Sequence, residues 1–115
     1  MSRRPVGRIR HRAVFAALRR PAGRAQSGPV RVSWVPDGLD EPFPQVSYAI
    51  GRKHGGAVQR NRLRRRLREA VARSELPPGA YLVAAEPSAQ TLGFAELVAA
   101  VGSAMNSAAT RGNRP

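Results

Sequence analysis

Apolar positions along the chain change period several times, and each change marks an element. His11, Val14, Phe15 and Leu18 recur three and four residues apart, so Arg8 to Arg20 reads as a first helix that Pro21 stops. Ala22 to Pro29 reads as a loop. Val30, Val32 and Trp34 alternate with Arg31, Ser33 and Val35, which predicts a strand. After a proline-rich loop, Val46, Tyr48 and Ile50 alternate with Ser47 and Ala49, so Gln45 to Arg52 reads as a second strand. Ala57 to Arg73 is a second helix, with Leu63, Leu67, Ala70 and Val71 on one face. Pro77, Pro78 and Gly79 break the chain before Tyr81 to Ala85, a short strand with the weak alternation of one covered on both sides. From about Thr91 to Ser107, Phe94, Leu97, Val98, Val101 and Met105 mark a third helix, capped by either Thr91 or Gly93. The tail after Ala109 reads as frayed.

The order α-β-β-α-β-α predicts an α+β fold, a single-domain α/β sandwich with three helices on a central sheet of three to four strands. The 115 residues suit one domain, ordered from about residue 8 to 108, with flexible ends at 1–6 and 109–115.

Charge changes the picture. Twenty Lys plus Arg stand against seven Asp plus Glu, for a net charge of +13. Such an excess costs self-repulsion, and it finds use when a polyanion neutralises it. Nucleic acid is the leading partner and an anionic membrane surface the runner-up. Lys53 is the only lysine. Arginine offers a planar fork that grips phosphate in two places and stacks on bases. There is no cysteine, which fits a reducing compartment. No apolar stretch nears the length of a membrane span, and no apolar signal core follows Arg3 and Arg4. The expected setting is cytoplasmic.

The charge gathers in Met1 to Arg31 and in Gly51 to Arg73. The second stretch opens GRKHGGAVQRNRLRRRLRE and has Glu69 as its single acid. On a helical wheel, Asn61, Arg62, Arg65, Arg66 and Arg68 lie opposite the apolar face. Such a helix would seat its leucines on a sheet and hold a stiff basic array, about 24 Å long at about 1.5 Å per residue, toward solvent. The glycines ahead of it permit tight turns, and the free N–H groups at the helix start favour an anion. The plain alternative is a solvated face. Repulsion in pairs such as Arg60/Arg64, Arg62/Arg66 and Arg64/Arg68 costs a few tenths of a kcal/mol each, and one carboxylate offsets little of it, which favours a polyanionic partner.

This segment resembles the RNR signature of the bacterial ribonuclease P protein subunit, roughly S-K-K-x-G-x-A-V-x-R-N-R-x-K-R-x-x-R-E. Lys53, Gly55, Ala57, Val58, Arg60, Asn61, Arg62, Arg65, Arg68 and Glu69 match it in unbroken spacing, and Arg52 and Arg64 match conservatively. Gly51 replaces a serine, His54 an apolar residue and Gly56 an asparagine. The resemblance implies that the strands before and after the basic helix pair in parallel through a left-handed crossover, against the general rule for such connections. It implies that Arg60, Asn61, Arg62, Arg64, Arg65 and Arg68, with Arg52 and Lys53 ahead of them, face a catalytic RNA. A cleft between the first helix and the sheet would hold the single-stranded 5′ leader of precursor tRNA.

Unpaired strands are usually held by aromatic platforms flanked by positive charge. Phe15 matches a leader-contact position of the family, with Arg8, Arg12 and Arg19 nearby; ordinary core packing explains Phe15 equally well. Ser33 stands where the family has a tyrosine, with Trp34 beside it, and Arg19 stands where a second aromatic is common. Tyr48 serves the core or the cleft, with the core favoured. His54 reads as an exposed turn residue near the RNA surface, and His11 as a helix-face residue without special chemistry. No nucleophile or acid–base pair stands at motif spacing, and Asp37, Asp40 and Glu41 read as loop solvation. The resemblance implies an auxiliary subunit of an endoribonuclease whose chemistry is carried by RNA-bound Mg2+, with no catalytic or metal-binding residue of its own, monomeric and without a membrane partner.

Overall fold

The computed structural model describes residues 5–37 and 43–114. Asp40 and Glu41 lie outside the described residues; Asp37 is exposed. In chain order the elements are β1 (Gly7–Arg8), α1 (Arg12–Ala17), β2 (Gly23–Ser27), β3 (Val30–Val35), β4 (Gln45–Ala49), a 3-10 turn (Arg52–His54), α2 (Ala57–Ala72), β5 (Ala80–Ala85), a second 3-10 turn (Pro87–Gln90) and α3 (Phe94–Gly112).

The strands form a single sheet in the order β1-β4-β5-β3-β2. β4 pairs in parallel with both β1 and β5, and β3 pairs antiparallel with β5 and β2. The class is the expected α+β sandwich with three helices, but the sheet has five strands where three to four were expected. Both extra strands fall in segments read otherwise. The stretch read as the loop Ala22 to Pro29 contains β2, which pairs with β3 from Gly23↔Trp34 to Ser27↔Val30. The two-residue turn between them has Gly28 at φ +53 followed by proline, whose φ is fixed negative. That sign pattern is the type II′ hairpin turn, which matches the twist of the strands.

The first helix is shorter than its periodicity suggested. Gly7 and Arg8 pair with Gln45 and Val46, so the backbone there is extended and α1 starts only after His11. The helical spacing survives in part: Val14 and Leu18 are buried, while Phe15 and His11 face out. Gly93, not Thr91, is the N-cap of α3. That helix runs past Ser107 to Gly112 because Ala108 and Ala109 are fully buried, and Arg111 donates to the Arg24 carbonyl of β2 at 2.8 Å.

One face of the sheet carries the main core. Val30, Val32, Trp34, Val46, Tyr81 and Val83 meet Leu63, Leu67 and Val71 of α2 and Leu97, Val101 and Met105 of α3. Burying side chains of this size contributes roughly 1.5–3 kcal/mol each. The Trp34 indole N–H donates to the Pro78 carbonyl at 3.1 Å, so its one polar atom is satisfied in the core. The end of α3 lies directly on β2: a Cβ on Gly23 would fall 1.8 Å from the Ala108 carbonyl, and one on Gly112 would fall 2.3 Å from the Trp34 ring. The opposite face is covered only in part. Ile9, Val14 and Leu18 pack there against Val35 and Ala80, with Leu82 at the margin.

Candidate RNA interface

α2 owes its orientation to its leucines. Leu63, Leu67, Ala70 and Val71 are fully buried against the sheet, so the wheel fixes where every arginine goes. Arg62, Arg65, Arg68 and Asn61 are exposed on the outer side. Arg64 and Arg66 lie on the two flanks and are half-buried. On one flank, Arg64 donates to Asn61 Oδ1 at 2.9 Å. On the other, Arg66 turns away from solvent toward the backbone carbonyls of Ala89, Gln90 and Leu92. This corrects the placement of Arg66 on the outward array: it stands at the seam with the 87–92 segment, where carbonyls without helical or strand partners need donors.

The basic turn ahead of α2 reverses at Gly55, whose φ of +97 suits glycine, and Gly56 caps the helix in extended conformation without a side-chain bond. Arg52 and Lys53 are exposed there. The Lys53 ammonium approaches Glu86 at 3.8 Å, and Arg31 reaches the same carboxylate at 3.2 Å. His54 is not an exposed turn residue: it is only 4% exposed, and neither ring nitrogen has a hydrogen-bond partner among protein groups. The site takes an apolar residue in the resembling family, and the imidazole fills that buried space. Arg60 is half-buried, with its Nε likewise enclosed and unpartnered. Seven carboxylates cannot neutralise twenty cations, so most of the basic charge awaits an external counter-ion.

One groove borders α2 and a second lies across the sheet from it. The first, about 820 Å3, runs between α2 and the β1/β4 edge. It is lined by Val6, Arg8, Ser47, Tyr48, Arg64 and Arg68, among others. The Tyr48 phenol is pushed up to about 12 by burial, with the nearby Arg68 charge partly offsetting. Tyr48 therefore serves core and groove at once, packing against the main core while lining the cavity.

The second groove, about 500 Å3, lies on the sheet face that α1 leaves uncovered. Arg24, Gln26, Arg31, Ser33, Leu82 and Arg111 line it. Arg12 and Phe15 project from α1 and Arg19 is exposed in the turn just after it, with Phe15 41% exposed.

The expected cleft set is thus divided. Ser33 faces the open sheet, and Arg8 sits in the α2 groove instead. Trp34 is fully buried on the opposite face, because neighbouring residues in a strand point to opposite sides. It is a core residue and no surface for an unpaired strand. Sequence reasoning missed Arg24, Gln26 and Arg111. The signal for Arg24 and Gln26 was the alternation Arg24–Ala25–Gln26, legible only once β2 is recognised as a strand; Arg111 joins them because α3 ends on that strand. His11 is exposed at the N-cap position of α1 without a side-chain capping bond. Among the described residues, no three His, Asp or Glu side chains gather as metal ligands, and no helix is long and apolar enough to cross a membrane.

Residues 4–109 match the family model described as Ribonuclease P. The chain is 43% identical over 84 residues to a ribonuclease P protein component of Thermus aquaticus, covering 72% of this chain but only 48% of that relative. It is 40% identical over 95 residues to that of Acidothermus cellulolyticus, covering 80% of this chain and 79% of the relative. The fold is similar to the RNase P protein of Thermotoga maritima, with a TM-score of 0.69 at 22% identity over 82% of this chain and 90% of that one. It is similar also to that of Staphylococcus aureus, with 0.68 at 20% over 84% and 90%. With a family match across most of its length and an arginine-faced helix in the matching frame, the chain belongs to the ribonuclease P protein family.

Proposed function

We propose that the chain is the protein subunit of a ribonuclease P, binding the catalytic RNA through α2 and the basic turn and holding the 5′ leader of precursor tRNA in a neighbouring groove. The observation that carries this reading is the division of α2: leucines seated on the sheet, and Arg62, Arg65 and Arg68 turned outward on a rigid helix. A preorganised array loses little side-chain entropy when it meets phosphates. Arg52 and Lys53 extend it toward the N-terminal end of α2, whose free N–H groups also favour an anion.

The leader would lie across the open sheet face, where Arg24, Arg31 and Arg111 supply charge and Phe15 on α1 supplies an aromatic surface. Endonucleolytic removal of the leader then gives the mature tRNA 5′ end. The chemistry belongs to the RNA, whose groups, with those of the substrate, hold the Mg2+ that activates water. The protein's own residues bind, orient the leader and lower phosphate repulsion. It acts as a cytoplasmic monomer within the ribonucleoprotein.

Reconstitution tests this. Adding the protein to the catalytic RNA at low magnesium is expected to raise precursor cleavage sharply. RNA binding without any gain in cleavage would leave a structural RNA-binding protein instead.

A further inference from the structure

The Arg66 guanidinium is spent on backbone carbonyls of a segment more than twenty residues away in the chain. Its Nη1 donates to the Ala89 carbonyl at 2.8 Å and the Gln90 carbonyl at 3.3 Å, and its Nη2 donates to the Leu92 carbonyl. The bonds do not stop there. Gln90 reaches back across the same seam, its Nε2 donating to the His54 carbonyl at 3.3 Å and to the Gln59 carbonyl at 3.2 Å. Ala89 between them is fully buried, and Glu86 at the head of the segment holds Lys53. The 86–92 segment therefore touches the basic turn, the first turn of α2 and the middle of α2 together.

We propose that Arg66 and Gln90 form a latch that fixes the basic turn 51–56 in register with α2, so that both meet RNA as one continuous surface. This rests on the reading of α2 as an RNA-binding helix. Without the latch the turn keeps the buried His54 ring, the exposed Lys53–Glu86 contact and two short-range backbone bonds, His54 N–H to Gly51 and Gly55 N–H to Arg52, in a stretch with three glycines. Such a segment would have many conformations to lose on binding. Arg66 is then a positioning residue, acting through the 87–92 backbone and making no contact with RNA. Lysine cannot replace it, because one ammonium does not reproduce the fork that serves three carbonyls.

The test uses Arg66→Lys, Arg66→Leu, Gln90→Ala and the double variant Arg66→Leu/Gln90→Ala, in the full chain, well below the unfolding temperature. Binding to the catalytic RNA is measured across a salt series, and amide hydrogen exchange is followed in the free protein. Each single variant is expected to weaken binding by about tenfold, the scale of one lost intramolecular hydrogen bond at the upper end of its range, with the salt slope unchanged. The amides of His54 and Gly55 should exchange faster while those of β5 and α3 do not. The double variant should be no worse than its worse parent within about twofold, because both residues belong to one device.

Full affinity in Arg66→Lys beside a loss and a shallower salt slope in Arg66→Leu would make Arg66 a phosphate contact and overturn the latch. So would unchanged affinity in the folded variants, or losses that multiply in the double variant. Should the unaltered chain fail to bind the RNA, the reading of α2 itself falls, while the exchange measurement still reports whether the latch orders the turn.

Discussion

Replacing Arg62 and Arg65 together by alanine removes two guanidinium groups from the exposed side of α2 and leaves Leu63 and Leu67, which seat the helix, untouched. The fold should persist. Alanine is the better helix former, and surface changes away from caps and core shift stability by about 0.5 kcal/mol or less. The effect belongs to binding, and counterion release sets its size. Each phosphate contact steepens the dependence of log K on log salt by about 0.9 on duplex and about 0.7 on single strands. If both arginines meet phosphates, the variant's slope is shallower by about 1.4–1.8. Across a fourfold rise in salt, about 0.6 log units, the advantage of the unaltered chain should shrink about tenfold. The assay is equilibrium binding to the catalytic RNA at several salt concentrations, with thermal melting as a control for folding. Parallel lines in the log–log plot would show that this side of the helix makes no phosphate contacts and would refute the reasoning.

Phe15→Ala should reduce the preference for precursor over mature tRNA more than it reduces affinity for the catalytic RNA; equal losses, or a large drop in melting temperature, would assign the ring to packing. Gly79→Ala should destabilise the fold by at least about 2 kcal/mol in urea titration, because φ is +128 there and the added Cβ would lie 2.3 Å from Trp34 Nε1; an unmoved midpoint would contradict that geometry. Alkali should unfold the protein through its tyrosines. Burial pushes Tyr48 up to about 12 and raises Tyr81 as well, so the native state keeps protons that the unfolded chain releases from about pH 10. Their contribution is whole below pH 10 and fades as the pH climbs toward 12, which circular dichroism read beside tyrosinate absorbance can follow. Ionisation of both phenols near pH 10 without unfolding would speak against it.

The elements that sequence made legible are those whose pattern and packing agree. Residues 57–72 form a helix because leucines recur on one side while glycine and proline bound it, and the same spacing turns Arg62, Arg65 and Arg68 outward. The errors arose where a local signal met a tertiary demand. Arg8 reads as the first residue of a helix, yet the β4 edge claims it, with Gly7, as a strand. Gly23 to Ser27 has weak strand propensity, and it is a strand because β3 and the end of α3 flank it. His54 is polar in a turn full of glycine, and nothing local indicates that the 86–92 segment would cover it. Arg66 differs from its neighbours only by lying at the seam, a property of the packed helix rather than of the residue. Trp34 was drawn toward the cleft by resemblance, although its own alternation with Ser33 already assigned the two to opposite sides.

α2 is also the connection between the two parallel strands β4 and β5 at the middle of the sheet. Its basic side is therefore held out by the assembled centre of the molecule, and a peptide cut from it would lack the apolar support that short helices need in water. A polyanion that recognises only the assembled form draws the chain toward that form by mass action, adding about 2.7 kcal/mol at a hundredfold excess over its Kd. For a chain with thirteen surplus positive charges, RNA would then be a scaffold for folding as well as a partner.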